Sequence, residues 1–248
     1  MKAVVEMKDL TVRYGTREAV HSRSLEVAQG EVLGILGPNG SGKTSLLSAA
    51  EGLLHPAQGS VRIHGMDPAV HRERVYQQMG VQLQEAHYPM RIRVGELCGL
   101  FAAFHKSPVD WRASLAAYGL AGLAKRSVHT LSGGERQRLS MALALLGAPS
   151  LLIFDEISTG LDPHARHQVQ HGLRRTADAG AAMLIVTHYP NELEDLADRV
   201  LVLEKGREVF CGAPGAFMEY ARAAAARRLA TLEDAYLAVC ARDEETLQ

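Results

Sequence analysis

The feature that most constrains the fold of this chain is the run Gly37-Pro38-Asn39-Gly40-Ser41-Gly42-Lys43-Thr44. It stands directly after the apolar stretch Val32 to Leu36 and directly before the helix-prone Ser45 to Glu51. Strand, glycine-rich loop and helix in that order form a cradle for phosphate. A polyphosphate crowds several negative charges against the backbone, so the loop must turn its N–H groups inward with no side chains in the way. Gly37, Gly40 and Gly42 permit this. Lys43 then reaches the β- and γ-phosphates, the Thr44 hydroxyl is placed to hold Mg²⁺, and the positive end of the helix entered at Ser45 adds to the attraction. The stretch implies a nucleoside triphosphate, ATP or GTP, as ligand.

Two further apolar runs, Leu151 to Phe154 and Met183 to Thr187, read as strands buried on both faces, with a helical pattern over Ala165 to Ala177 between them. Such strands alternating with helices indicate an α/β fold with a mainly parallel sheet. Val4 to Val12 and Val20 to Val27 instead alternate polar and apolar residues around turn signals at Gly15 and Gln29-Gly30, and Val61 to Gly65 adds a third strand of this half-buried kind. Glu96 to Ala148 is rich in Ala and Leu and reads as helical, with Asp110 capping Trp111 to Tyr118 and Gly119 ending it. Asn191 to Ala197 reads as a short helix, Val200 to Leu203 with Arg207 to Phe210 as a hairpin about Lys205-Gly206, and the chain from Phe217 as helical.

Composition excludes several classes. With 27 Lys plus Arg against 28 Asp plus Glu, the net charge of -1 gives no reason to expect a nucleic-acid partner. Cys98, Cys211 and Cys240 form no CxxC pair and leave an odd count, which fits reduced thiols in a cytosol. Met1 to Glu6 does not read as a signal peptide. The longest uncharged stretch, Leu139 to Phe154, is 16 residues and contains Gly147 and Pro149, whereas a membrane helix needs about 20 apolar residues. The chain is therefore expected not to span a bilayer by itself.

Asp155 and Glu156 end the second apolar strand, where an open α/β sheet presents its ligand crevice. One carboxylate is suited to the Mg²⁺ shell and the next to orienting or deprotonating the attacking water, although a solvated turn also carries such pairs. In Leu131-Ser132-Gly133-Gly134-Glu135-Arg136-Gln137, Ser132 and Glu135 fit a capping box at the start of a long helix. The box accounts for the Ser and the Glu but not for the two bare glycines, which make the helix start a second anion site.

The string LSGGERQR at Leu131 to Arg138, downstream of GPNGSGKT and upstream of LLIFDE, resembles the signature of ATP-binding cassette (ABC) ATPases. The resemblance covers roughly residues 1 to 215. It implies a P-loop fold with a RecA-like core, an N-terminal antiparallel β subdomain and an α-helical signature subdomain at about 86–147, with 216–248 as a C-terminal helical extension. It also implies that two cassettes pair head to tail, as a homodimer or heterodimer, so that Ser132, Gly133, Gly134 and Glu135 complete the ATP site of the partner.

Further roles follow from the same resemblance. Tyr14 would stack on adenine, though a strand aromatic in a small core is the plain alternative. Gln84 would sense Mg²⁺ and the attacking water, with Gln82 a rival two residues away. Asp162, in Ser158 to Asp162, would cross the dimer interface, His188 would contact the γ-phosphate, and Mg²⁺ would be held by Thr44, Gln84 and Asp155. The catalytic set would be Glu156, His188, Gln84 and Lys43. Where the family commonly has proline after the catalytic glutamate, this chain has Ile157, which would loosen that turn slightly.

The resemblance finally implies an ATPase peripheral on the cytoplasmic face of the inner membrane, working through a separate membrane permease. Glu85 to Arg93, with two arginines and an exposed tyrosine, would help form the docking groove, a solvated loop being the alternative. GVQLQEAHYP, GLDP at Gly160 to Pro163, and Leu232 to Leu237 are most similar to ABC-2 type exporters. The competing class is a non-transport cassette acting on the ribosome or on DNA. Against it stand the single phosphate loop, the missing coiled-coil insert and the missing cysteine cluster. The tail reads either as a dimerisation element or as a surface helix with a basic face.

Overall fold

The computed structural model describes residues 2–82, 88–89, 91–157, 161–225 and 229–240. Its elements in chain order are β1 (Ala3–Tyr14), β2 (Arg17–Ala28), β3 (Val32–Leu36), α1 (Lys43–Ala50), β4 (Gln58–Ile63), α2 (Arg72–Tyr76), β5 (Met79–Gln82), α3 (Val94–Ala103), α4 (Trp111–Ala117), α5 (Gly133–Ala144), β6 (Leu151–Asp155), α6 (Pro163–Asp178), β7 (Ala182–Val186), β8 (Arg199–Glu204), β9 (Arg207–Gly212), α7 (Pro214–Ala225) and α8 (Leu232–Cys240). Short 3-10 turns lie at Ala121–Leu123, Val128–Thr130 and Pro190–Leu193.

Two sheets result. The alternating N-terminal strands form an antiparallel sheet ordered β2-β1-β4, and the wholly apolar strands form the second, ordered β5-β6-β7-β3-β8-β9. All neighbours in the second sheet are parallel except β9, which returns along β8 through the Lys205-Gly206 turn. Because successive side chains point to opposite faces, β3 sends Leu33 and Ile35 into the layer shared with α1 and the small sheet, and Val32 and Leu36 into the layer under α5, α6 and α7. Likewise β6 divides Leu151 and Ile153 from Leu152 and Phe154. Burial on both faces explains why these strands carry no polar alternation.

A third cluster, Val94, Leu97, Cys98, Leu115, Leu120, Leu131, Leu139 and Leu143, holds α3, α4 and α5 together. Asp110 caps α4 by accepting from the Arg112 and Ala113 N–H groups. This helical layer meets the sheet at Gly80 of β5, where a Cβ would stand 1.8 Å from the Ala144 carbonyl oxygen at the end of α5. Only a bare backbone fits there.

The segment after β7 differs from the helix expected over Asn191 to Ala197: it forms a 3-10 turn over Pro190–Leu193 only. Beyond it the Ala197 N–H still reaches the Leu193 carbonyl at 3.0 Å, and α6 fastens the segment from the side, Gln170 donating to the Glu192 carbonyl at 3.3 Å and Arg174 to that of Leu196 at 3.2 Å. At the C-terminal side, α7 and α8 bury Phe217, Met218, Ala221, Leu232 and Ala235 in the same layer as β3, β6, β7 and β8. Asn191 exchanges two 3.0 Å hydrogen bonds with Glu233, side chain to side chain and N–H to side chain. The apolar faces of the tail are thus turned onto the body of their own chain.

Candidate active site

The loop between β3 and α1 is shaped by close approach. A Cβ on Gly42 would stand 2.2 Å from the Ala19 carbonyl oxygen, and its φ of 104° is a left-handed conformation that favours glycine. Gly42 also stands at the N-cap of α1 with no side-chain cap, so the first N–H groups of the helix have no side-chain acceptor at the cap among the described residues. The Ser41 hydroxyl is buried and without a hydrogen-bond partner among the described residues. Lys43, buried, donates from Nζ to the carbonyls of Gly37 at 2.6 Å and Pro38 at 3.0 Å. Burial holds its ammonium below the usual lysine range, and the Asp155 and Glu156 carboxylates act in the opposite sense.

These groups open into a cleft of about 340 Å³ lined by Tyr14, Arg17, Asn39, Gly40, Thr44, Ser45, Asp155 and His188, among others. Pro38, Asn39, Gly40 and Thr44 are exposed. Tyr14 is half exposed, and its hydroxyl accepts from Ser45 Oγ at 3.5 Å. Asp155 ends β6, and burial followed by repulsion from Glu156 pushes its carboxyl above the usual aspartate range. A carboxylate so placed, with the Thr44 hydroxyl in the same cleft, is a donor set of hard oxygens that fits Mg²⁺.

Glu156 takes a left-handed φ of 64° and donates its N–H to the Val186 carbonyl at 2.9 Å. Its Oε1 lies 3.2 Å from His188 Nε2. Gln137 of α5 donates to the Glu156 carbonyl at 3.3 Å and to the Ile157 carbonyl at 2.7 Å. Ile157 itself is fully buried in the core, so this turn is held by packing and by an amide from the signature helix.

Ser132 is exposed at the N-cap of α5; its Oγ accepts from the Glu135 N–H at 3.2 Å, while Glu135 Oε2 accepts from the Ser132 N–H at 2.7 Å. Both halves of the capping box are therefore made, and Gly133 has open space where a Cβ would be. None of Ser132, Gly133, Gly134 and Glu135 lines the cleft that holds Lys43. Asp162 is exposed and caps α6, accepting from the Ala165 N–H at 2.9 Å. Gln84, Glu85 to His87, Met90 and Ser158 to Gly160 lie outside the described residues. Gln82 is buried in β5. Tyr88 departs from the exposed tyrosine expected: it is half-buried, packs on the helical cluster and hydrogen-bonds Ser140.

Sequence reasoning passed over Arg17, whose Nη2 donates to the Gly40 carbonyl at 3.4 Å. The tight turn at Gly15-Thr16 was the available signal, since it pairs Arg17 with Tyr14 in register. It also passed over Glu51, which follows α1. Glu51 is 4% exposed, and burial, aided by Asp155, pushes its carboxyl up to about 7. Between the ordinary value of 4.5 and about 7 the folded chain holds a proton that the unfolded chain has lost, so stability falls as pH rises through that window. Glu51→Gln should accordingly match the parent stability near pH 4 and exceed it increasingly up to pH 8, by as much as about 3 kcal/mol, with a melting temperature that rises above the parent's in step. Parallel melting curves in thermal scans across this range would remove the buried-carboxylate account.

Fold and site together define an ATP-binding cassette. The ABC transporter family model matches residues 20–159. The chain is 37% identical over 223 residues to the Nod factor export ATP-binding protein I of Burkholderia orbicola (strain AU 1054), spanning 88% of this chain and 73% of that protein. It is 35% identical over 206 residues to an uncharacterized ABC transporter ATP-binding protein of Bacillus subtilis (strain 168), YdbJ, spanning 82% and 67%. A solved ATP-binding subunit of an ABC transporter superposes with a TM-score of 0.85 at 24% identity, over 95% of this chain and 99% of that one, and shares the fold. The chain belongs to the ABC transporter family, as an ATP-binding subunit with ATPase activity. Cassettes of this family dimerise and pair with a membrane permease. Among the described residues no helix is long and apolar enough to cross a membrane.

Proposed function

We propose that this chain powers export through a separate permease by closing as a dimer on ATP, either with itself or with a different cassette, at the cytoplasmic face of the cell membrane. The observation that carries the reading is the convergence on one cleft of Lys43, Thr44, Asp155 and His188 from the ends of β3, β6 and β7. Lys43 neutralises the outer phosphates, Tyr14 supports the base, and Glu156, held against His188, takes the proton of the attacking water. Mg²⁺, held by Thr44 and Asp155 with Gln84, would supply charge neutralisation at the phosphates. Because the Ser132 helix start is exposed and does not line its own cleft, it is free to meet the phosphates of a partner cassette, and Asp162, exposed at the start of α6, is the residue we assign to the dimer interface. Export as the direction is supported by the name of the Burkholderia relative. We divide the chain at about 215, the helical part spanning about 86–147 and the extension 216–248.

We assign the permease contact to a groove of about 480 Å³ between α2, β5 and the far ends of α3 and α5, lined by Tyr76, Met79, Phe101, Phe104, Leu143 and Leu146. Phe104 is 68% exposed there, an aromatic in contact with water at the mouth of an apolar groove. Gln77 bridges the groove, donating to the Phe104 carbonyl at 2.6 Å and accepting from the Lys106 N–H at 2.9 Å. An apolar groove of this size suits an amphipathic helix. In detergent extracts of native membranes, the tagged chain should co-purify a polytopic membrane protein, and Phe104→Asp should lose it at an unchanged melting temperature. Recovery of ribosomal or DNA-bound proteins instead would favour the non-transport class.

A further inference from the structure

His188 stands in a segment tied on both sides by one hydroxyl. Thr187, buried, donates from Oγ1 to Glu192 Oε2 at 2.7 Å and accepts at the same oxygen from the Tyr189 N–H at 3.0 Å. The residues before and after His188 are thereby pinned to a single point. Glu192 is 4% exposed, and its other oxygen, Oε1, lies 3.5 Å from Arg166 Nε. The Arg166 guanidinium also stands 5.2 Å from the centre of the Tyr189 ring. Arg166 is in the first turn of α6, its N–H donating to the Asp162 carbonyl at 2.9 Å.

The tie to α6 continues along one face of that helix. Arg166, Gln170 and Arg174, spaced one turn apart, reach Glu192, the Glu192 carbonyl and the Leu196 carbonyl in succession. From the other side, Leu193 fills the space over Gly34 of β3, where a Cβ would stand 2.4 Å from its Cδ1. The turn at Pro190–Leu193 is thus seated on the sheet and fastened to α6.

We propose that Thr187, Glu192 and Arg166 are positioning residues for His188, fixing where its imidazole stands against Glu156 and making that placement follow α6, the helix that starts at Asp162. The inference rests on the assignment of His188 to the hydrolytic site. A displacement of about 1 Å at a reacting group costs up to a hundredfold in rate. Thr187→Val keeps the shape of the side chain and removes the hydroxyl. It should lower kcat about tenfold or more with KM for MgATP changed less than about twofold, and Thr187→Ser should restore kcat.

A second readout does not depend on activity. In the ¹⁵N spectrum of histidine side chains, the His188 signal is the one missing from His188→Ala, and Thr187→Val should move that signal while leaving those of the other histidines in place. Glu192→Gln, which keeps an acceptor for Thr187 but weakens the attraction to Arg166, should give a smaller shift in the same signal. Full kcat in Thr187→Val with an unmoved His188 signal would overturn the inference, as would a general shift of all histidine signals with a lowered melting temperature. Undiminished kcat in His188→Ala would instead remove the assignment on which it rests.

Discussion

Lys43→Ala is expected to abolish ATP hydrolysis and to weaken nucleotide binding by at least about a hundredfold, while leaving the fold as stable as before or more so. The functional loss follows from the removal of two or more charged hydrogen bonds to phosphate, each worth about 1.5–3 kcal/mol, with every 1.4 kcal/mol a factor of about ten. The stability result follows from the resting position of the side chain. Its ammonium is buried against the carbonyls of Gly37 and Pro38, and burial depresses its pKa, which marks a charge held at a cost in the fold. Titration with a fluorescent nucleotide, phosphate-release assays and thermal melting on the same preparation separate the two effects. Normal turnover, or a chain that melts markedly earlier, would remove Lys43 from the role given to it here.

Glu156→Gln is expected to lower kcat by two to four orders of magnitude, roughly the contribution of a positioned general base, and to hold ATP in a closed dimer. An amide keeps the size of the side chain and an oxygen for His188, so the 3.2 Å contact and the left-handed backbone at Glu156 survive. It also removes a negative charge beside Asp155, one of the causes that raises the Asp155 pKa, so that the site binds nucleotide no worse. Size-exclusion chromatography should show a dimer with MgATP and a monomer without. A second change in the same chain, Ser132→Arg, should abolish that dimer, because a long cation would stand at an exposed helix start that has open space beside it. Persistence of the dimer in the double variant would show that the signature serine does not meet the partner's nucleotide.

What the amino-acid order disclosed and what it hid divide along a physical line. The phosphate loop, the strand ending in Asp155 and Glu156, and the capping box at Ser132 and Glu135 are contiguous, so residue type and spacing suffice. The two sheets were likewise legible from the period of apolar residues. Gln137 on the carbonyls of Glu156 and Ile157, and Arg166 beside Glu192, join residues 19 to 26 apart in sequence, on elements whose facing sides are set only when α5 and α6 pack on the sheet. Ile157 reads in isolation as a loosened turn, because the amide that holds it lies outside its own segment. Tyr88 reads as exposed because its segment carries Glu85, Arg91 and Arg93; its burial comes from packing on the cluster of α3 and α5. Asn191 to Ala197 has helical spacing, but it is seated by contacts from α6 that lie outside the segment, and regular helix geometry is limited to the 3-10 turn at Pro190–Leu193.

The contact at Gly80 gives the helical layer a mechanical character. Strand β5 and the last turn of α5 meet main chain against main chain, with no rotamer between them to absorb a push. From that joint α5 runs 12 residues to its start beside Ser132, about 18 Å at 1.5 Å per residue. A tilt of about 10° at the joint would sweep the far end by about 3 Å, the length of one hydrogen bond. Where the exposed Ser132 stands is therefore sensitive to how the last turn of α5 seats on residue 80, over and above the hold that Gln137 has on the carbonyls of Glu156 and Ile157.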